Sequence, residues 1–420
     1  MAISLYPHQK RAVGLWLDNN MRGVISMATG TGKTFTALAC TEEFFKHMGK
    51  GFVIILVPFT HLVGQWKSAI EKYGLDVDKV VTNKDAIKAA RYVSLGWYSK
   101  AIAITTYKWF VSWGDDLLYY LSPTTPSMLV ADESHRFGSD GMKKLKGLDK
   151  FHATLGISAT PQRAFDESGN AFISAFLGDV IYTYDLRDAL ADDVIVPYHY
   201  YVYASFMNDD EWETFQNYTR GIAAKLSQDE EDDAALLAIR RALTMISVKD
   251  KLNVLRQIIS HHNISHTIIF TSYLLFADTQ KVLAEHGIAY ETITGDDSQK
   301  RRQQKISRFM NKEIDVLVAM KVLDEGVDIP QARRAIFLAS PSSHRIVTQR
   351  IGRVTRKHAG KSVATIWDTI TLPPSYVSGD YVDKLLSLQM PRVDRLASEA
   401  VGGFSEYLNV VEKIEHLFGR

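Results

Sequence analysis

Through about residue 200, short apolar and β-branched runs alternate with longer helical stretches: Gly23–Met27, Phe52–Val57, Ala101–Thr105, Met128–Ala131 and Thr154–Ser158. That rhythm predicts a parallel sheet whose strands are joined by crossover helices. A second series follows, with His266–Thr271, Tyr290–Thr294, Val316–Ala319, Ala335–Leu338 and Val363–Trp367, and it predicts a second α/β domain. Between the two, Glu211–Ser260 lacks strand alternation and is rich in Ala, Leu, Glu, Lys and Arg, which favours helices. The expected organisation is a first α/β domain over 1–205, a helical linker or insertion over 206–260, a second α/β domain over 261–371 and a helical tail over 372–420. In that tail Tyr407, Val410, Val411, Ile414 and Leu417 would share one helical face, suited to packing on a domain or on a partner.

Composition supports two cores: the chain has 420 residues, of which 46% are hydrophobic. The opening residues hold no apolar run of signal-peptide length, and stretches such as Gly51–Pro58 are too short to cross a bilayer, so neither export nor membrane insertion is expected. Cys40 is the only cysteine, which excludes an intrachain disulfide and a cysteine-based zinc site and suits a reducing cytoplasm; its thiol is expected simply to pack. With 49 basic and 48 acidic residues the formal net charge is +1, so attraction to a polyanion has to come from local motifs. The acidic run Asp229–Asp233 is expected to be a solvated loop or helix face.

The sharpest chemical signal is Met27-Ala28-Thr29-Gly30-Thr31-Gly32-Lys33-Thr34, placed between an apolar strand and a helix. Glycines allow backbone N–H groups to turn toward phosphate oxygens, and the following helix presents its positive end. Lys33 reaches the β- and γ-phosphates of ATP, and Thr34 can ligate Mg²⁺. Met27 stands where the usual pattern opens on glycine, but Gly30 and Gly32 still supply the turn. At Leu129–His135 a strand delivers adjacent carboxylates at its end: Asp132 to hold Mg²⁺ and Glu133 to polarise water. In Gln349–Arg356 a helix would put Arg353 and Arg356 on one face, where two guanidinium groups could meet one γ-phosphate.

This series resembles superfamily 2 helicases, in the branch of type III restriction subunits and the repair and transcription helicases that act on duplex DNA. The resemblance runs from Tyr6 to Arg356 and implies two RecA-like domains. Tyr6-Pro7-His8-Gln9 looks like the adenine-recognition element, with Gln9 reading the base, so the implied nucleotide contacts are Gln9, Thr29–Thr34 and Asp328, the last on the ribose. Val57-Pro58-Phe59-Thr60 with Gln65-Trp66, and Ile104–Tyr107, resemble nucleic-acid-facing segments; Thr and backbone amides suit phosphate contacts that read no base. Pro58, Thr60, Thr106, Thr294 and Gly295 are the implied nucleic-acid contacts. Ser158-Ala159-Thr160-Pro161 with Arg163 resembles the motif that links nucleotide state to strand binding. Ile268–Thr271 and Leu323–Pro330 resemble further second-domain motifs, and QRIGRVTR makes Arg353 and Arg356 the arginine fingers. Met320-Lys321 departs from the Thr-Asp pair of many relatives.

The expected activity is therefore ATP-dependent movement on, or remodelling of, nucleic acid, with ATP and Mg²⁺ as cofactors and DNA favoured over RNA. The rival reading is a nucleotide-gated clamp, a subunit of a restriction, repair or defence assembly whose protein partner supplies a nuclease or other effector. An unrelated P-loop kinase would show no stimulation by nucleic acid. Trp97, Tyr98, Trp109 and Trp113 could stack on bases, but their spacing reads first as core.

Overall fold

A computed structural model describes residues 4–121, 124–163, 166–320, 329, 331–340, 343–377 and 379–402. The chain forms two compact units, Met1–Asp192 and Asp193–Arg420. In the first, β1 (Arg22–Met27), β2 (Gly51–Val57), β3 (Lys79–Thr82), β4 (Lys100–Thr106), β5 (Ser127–Asp132), β6 (Ala153–Ser158) and β7 (Val180–Tyr184) form one sheet in the order β3-β4-β2-β5-β6-β1-β7. Every pairing is parallel. The helices are α1 (Pro7–Asp18), α2 (Lys33–Met48), α3 (Thr60–Tyr73), α4 (Ala86–Ser94), α5 (Tyr107–Tyr120), α6 (Asp140–Lys143), α7 (Glu167–Leu177) and α8 (Leu186–Ala191).

Burial explains the order. Strand β2 reads Gly-Phe-Val-Ile-Ile-Leu-Val and is buried at every position, as a strand covered on both faces must be. Edge strands β3 and β7 are partly exposed: Val81 is the only buried position of β3, and Val180 and Thr183 of β7 are exposed. Neither was legible as a strand, because their apolar runs are short and one-sided. Phe52, Ile54, Leu56, Leu129 and Phe110 anchor a core between the sheet and α4, α5 and α7; each fully buried large apolar side chain contributes about 1.5–3 kcal/mol. Cys40 lies in the core, as its helical position implied, and burial pushes its thiol far above the usual range.

In the second unit, β8 (Tyr198–Phe206), β9 (Thr267–Phe270), β10 (Tyr290–Ile293), β11 (Val316–Ala319), β12 (Arg334–Phe337) and β13 (Ala364–Leu372) run in the order β10-β11-β9-β12-β13-β8, again all parallel. The helices are α9 (Asp209–Leu226), α10 (Glu231–Ile246), α11 (Lys251–His261), α12 (Phe276–Glu285), α13 (Gln299–Met310), α14 (His344–Val354) and α15 (Gly379–Glu399). The second unit begins at Asp193, ahead of the boundary expected after residue 205. The reason is β8, whose register with β13 runs unbroken from Tyr198↔Ala364 to Phe206↔Leu372.

The segment expected to be a linker or insertion begins with the last residue of β8 and then folds into three helices, which are not alike. Helices α9 and α10 pack on each other, whereas α11 lays Val254, Leu255 and Ile258 into the core of the second sheet. Asn208 caps α9 in a reciprocal box with Glu211. The acidic run is solvated, Glu230 and Asp233 pairing with Lys225. Helix α15 docks through a buried polar cluster: Arg392 Nε lies 3.1 Å from Asp368 Oδ2, and Tyr200 and Ser340 hydroxyls donate to the same carboxylate at 2.7 Å each. The apolar face expected over Tyr407–Leu417 lies outside the described residues. Among the described residues no helix is long and apolar enough to cross a membrane.

Candidate active site

The first unit brings its motifs to one edge because β1, β6 and β5 are neighbours. Ser26 of β1 sits opposite Ser158 of β6, and Asp132 of β5 opposite Ile157, so the loops after all three strands leave the sheet side by side at their carboxyl ends.

After β1 the chain turns through Gly30 (φ 93°) and Gly32 (φ 90°), both left-handed conformations that an L side chain resists. Gly32 is the N-cap of α2, and a Cβ placed on it would collide with Gln9 Nε2. Thr31 Oγ1 donates to Ala28 O at 2.7 Å, closing the loop on itself. Lys33 Nζ donates to Met27 O at 3.1 Å and Ala28 O at 3.4 Å. Thr29 and Thr34 are half-buried, Thr34 in the first turn of α2. Met27, the departure from the usual pattern, is the last residue of β1 and fully buried; its sulfur accepts from Thr36 Oγ1 at 3.6 Å. A large side chain is tolerated there because it points into the core rather than into the loop.

Helix α1 holds this loop from outside. Gln9 Oε1 accepts from Tyr6 N at 2.8 Å while its Nε2 donates to Gly32 O at 3.1 Å. An amide has two N–H donors and two lone pairs, so Gln9 retains one of each for a base. His8 Nε2 bonds Thr31 O at 3.0 Å, and its ring stacks on Tyr184 at 4.1 Å and on Tyr6 at 5.6 Å. Tyr184 lies in β7, a contribution that sequence spacing gave no reason to expect.

Asp132 ends β5, and Glu133 follows in a left-handed conformation (φ 51°, ψ 59°) that turns the chain sharply. Trp66 Nε1 donates to Asp132 Oδ2 at 2.9 Å and Tyr107 Oη to Asp132 O at 2.9 Å. Burial, with the Glu133 charge beside it, raises the Asp132 carboxyl to about 7; the Trp66 bond and Lys33 pull the other way. Burial likewise holds the Tyr107 phenol far above its usual range, so it remains a donor. Ser158 Oγ donates to Glu133 Oε2 at 3.2 Å and accepts from Thr160 N at 3.1 Å. His135 Nδ1 is 3.5 Å from the same Glu133 oxygen. Arg163 Nη1 donates to His135 O at 2.9 Å, and its Nε pairs with Asp166 at 2.6 Å. The Ser158–Arg163 segment is thus tied to the stretch after β5 at two points, Ser158 to the Glu133 carboxylate and Arg163 to the His135 carbonyl.

Of the residues expected to face nucleic acid, Pro58 and Thr60 leave the carboxyl end of β2, with Pro58 half-buried and Thr60 exposed at the start of α3. Thr106 ends β4 but is buried, and its hydroxyl caps α5 by accepting from Trp109 N at 3.1 Å. Nearby, Arg136 lies over the Phe59 ring at 4.7 Å. Among the four aromatics expected in the core, Tyr98 and Trp109 pack against it, but Trp97 and Trp113 are more than half exposed. Their helix-end and helix-face positions carry no periodic signal of which side they take.

In the second unit, Thr294 follows β10, its N–H donating to Asp297 Oδ2 at 2.9 Å, and Gly295 is exposed beside it. Arg353 lies in the last turn of α14 and is buried. Arg356 does not share that helix: α14 ends at Val354, capped by Thr355 N donating to Ile351 O, and Arg356 pairs with Ile195 in an isolated antiparallel bridge. The expectation of one helical face for both arginines is corrected accordingly. Arg350, one turn earlier, donates to Ala339 O and lies 4.5 Å from the Phe270 ring centroid. Asp328 and Lys321 lie outside the described residues, as does most of Leu323–Pro330.

A phosphate loop, adjacent carboxylates at a strand end and an arginine-bearing second α/β unit define a P-loop NTPase of the tandem RecA-like class. Residues 2–163 match the family described as type III restriction enzyme, res subunit, and residues 250–358 match the helicase conserved C-terminal domain. The chain is a superfamily 2 helicase of the restriction and repair branch, an ATP-hydrolysing enzyme that works with nucleic acid. It is 27% identical over 379 residues to the DNA 3'-5' translocase XPB2 of Sulfurisphaera tokodaii, covering 84% of this chain and 79% of that protein. It is 24% identical to putative helicase 22 of Sulfolobus islandicus filamentous virus, covering 86% of this chain and 63% of the relative. With the DNA 3'-5' helicase XPB of Kineococcus radiotolerans it shares 24% identity over 88% of this chain and 60% of that one. The fold is that of the Pyrococcus furiosus Hef helicase domain (TM-score 0.56, 16% identity, 87% of this chain and 95% of that one). It also matches 30% of the type ISP restriction-modification enzyme LlaBIII bound to DNA (TM-score 0.64, 18% identity, 94% of this chain).

Proposed function

We propose that this protein is an ATP-dependent DNA translocase or helicase that moves 3'-5', with 1–192 as its ATP-binding domain and 193–420 as its C-terminal helicase domain. The polarity and the preference for DNA over RNA are extended from the names of its relatives. The observation that carries the motor reading is the hydrogen bond from Ser158 to Glu133, which joins the hydrolytic carboxylate to the segment after β6.

In this reading the amides between Thr29 and Thr34 cradle the phosphates, Lys33 neutralises them and Gln9 selects adenine. Thr34 and Asp132 would hold Mg²⁺, an assignment that fits their oxygen donors and the carboxylate's place at the strand end; the metal supplies charge neutralisation at the phosphates. Glu133 orients the attacking water. Its bond to Ser158 differs between nucleotide states, and that difference is passed to the strand-gripping segments around Pro58, Thr60 and Thr106. Arg353 and Arg356 supply positive charge to the transition state, Thr294 and Gly295 contact the strand from the second domain, and Asp328 contacts the ribose. Grip through sugar and phosphate makes binding tolerant of sequence and sensitive to salt.

The test is steady-state ATPase activity without polymer and with single-stranded DNA, duplex DNA, forked DNA and RNA, alongside Lys33→Ala and Arg353→Ala proteins. Stimulation by DNA that both substitutions abolish supports the motor. Stimulation by RNA alone would replace the track. Displacement of streptavidin from one biotinylated end reads polarity, and stimulation without displacement would favour a nucleotide-gated clamp that recruits an effector protein.

A further inference from the structure

A cleft of about 550 Å³ opens in the second unit, at the amino ends of β8 and β13. One wall is the strap that begins the unit: Val196 N donates to Thr355 O at 2.8 Å, and Ile195 pairs with Arg356. The other is the turn after α14, closed by Lys361 N donating to His358 O at 3.0 Å and by Gly360 in the left-handed region (φ 74°). Lys357, His358, Lys361 and Ser362 line it with Asp193 and Pro197.

The charges are unbalanced. Lys357 pairs with Asp193 at 2.7 Å, and that aspartate is the only carboxylate among the described lining residues. Lys361 is buried, with its Nζ donating to Ala332 O. A Cβ on the neighbouring Gly360 would stand 3.7 Å from Arg333 Nη2. Burial is the main reason that the Lys361 ammonium falls to about 7, and the nearby charges of Arg333 and Arg356 add to it. An anion seated here would offset the excess of basic over acidic side chains along the lining. Val196, Pro197 and Ala359 add an apolar side to the basic one, and the volume exceeds what a bare oxyanion fills.

We propose that this cleft binds a sugar-phosphate unit, the phosphate against Lys357, Lys361 and Ser362 and the sugar against Pro197. The unit comes either from a nucleic-acid strand or from a free mononucleotide. The cleft is separate from Thr294 and Gly295, which follow the carboxyl end of β10, and it requires no motor activity.

The full chain carrying Lys33→Ala, which weakens phosphate binding at the P-loop, is used for the test. Lys357 is exposed and His358 half-buried, neither of them in the core, so a Lys357→Ala/His358→Ala protein should keep its melting temperature. Two readouts separate the sources. One is binding of a fluorescent oligothymidylate across a salt series; the other is the His358 ring-proton NMR signal, assigned by its loss in His358→Ala, during titration with dTMP or pyrophosphate. Binding of a strand predicts a salt slope about 0.7 shallower in the double variant for each phosphate lost. Binding of a free nucleotide predicts saturable movement of the His358 signal, with pyrophosphate weaker than dTMP if the sugar contributes. An unchanged slope together with an unmoved His358 signal overturns the proposal, whatever the ATPase result.

Discussion

Lys251 offers a measurable link between a buried charge and the arginine-bearing part of the second unit. Its side chain is only 2% exposed, and Nζ donates to Leu338 O at 2.9 Å, two residues before Ser340 and its bond to the Asp368 carboxylate. Burial, reinforced by Arg392, lowers its ammonium to about 7, with Asp368 opposing. An unfolded lysine titrates near about 10.4, so between these values the unfolded chain binds more protons than the folded one and stability rises with pH. The penalty is full below about pH 7 and shrinks as pH climbs toward about 10.4. Integrating between about pH 7 and about pH 9 gives a gain of about 2 kcal/mol from this one group. Lys251→Met keeps the length of the chain and removes the titration, and Leu338 O retains a donor in Thr369 Oγ1 at 3.2 Å. Urea denaturation of both proteins at the two pH values isolates the effect, because contributions of other groups cancel in the difference. The wild type should gain about 2 kcal/mol more than the variant over this range. Parallel pH dependences would refute the argument and mean that Lys251 stays charged in the folded state.

Other expectations concern the nucleotide site. Gly32→Ala forces a Cβ into a left-handed position and against Gln9, at about 1–2 kcal/mol for the backbone alone, so ATP affinity should fall about tenfold or more by fluorescent-nucleotide titration. Ser158→Ala removes a hydrogen bond to the Glu133 carboxylate, of about 1.5–3 kcal/mol; kcat should drop about 10- to 100-fold with KM for ATP nearly unchanged, and an equal change in KM would instead assign Ser158 to binding. Asp132 must be ionised to hold a divalent cation, so the acid limb of kcat/KM should lie near pH 7. Trp66→Phe, which removes a donor to that carboxylate, should move the limb upward by about one unit; a downward or absent shift would show that the indole does not stabilise the ionised form.

Local patterns carried far in this chain. Central strands such as β2 and β5 were legible because strands covered on both faces need uninterrupted apolar runs, and the phosphate loop because positive-φ glycines followed by Lys33 and Thr34 have a narrow set of uses. What required the folded molecule is pairing between distant residues. Nothing in the spacing of Trp66 and Asp132, Tyr184 and His8, or Ser158 and Glu133 announces their contacts, which exist because the strand order brings β6 between β5 and β1 and sets β7 at the edge. The tertiary structure also moved β8 into the second sheet, since a strand's apolar pattern says that it is buried and not against which partner. It likewise separated Arg356 from the helix of Arg353, since the ending of α14 at Val354 goes with a cross-chain bridge to Ile195 that no local propensity encodes. Periodicity records the faces a segment must bury; which segments meet is decided by the packing of the whole chain.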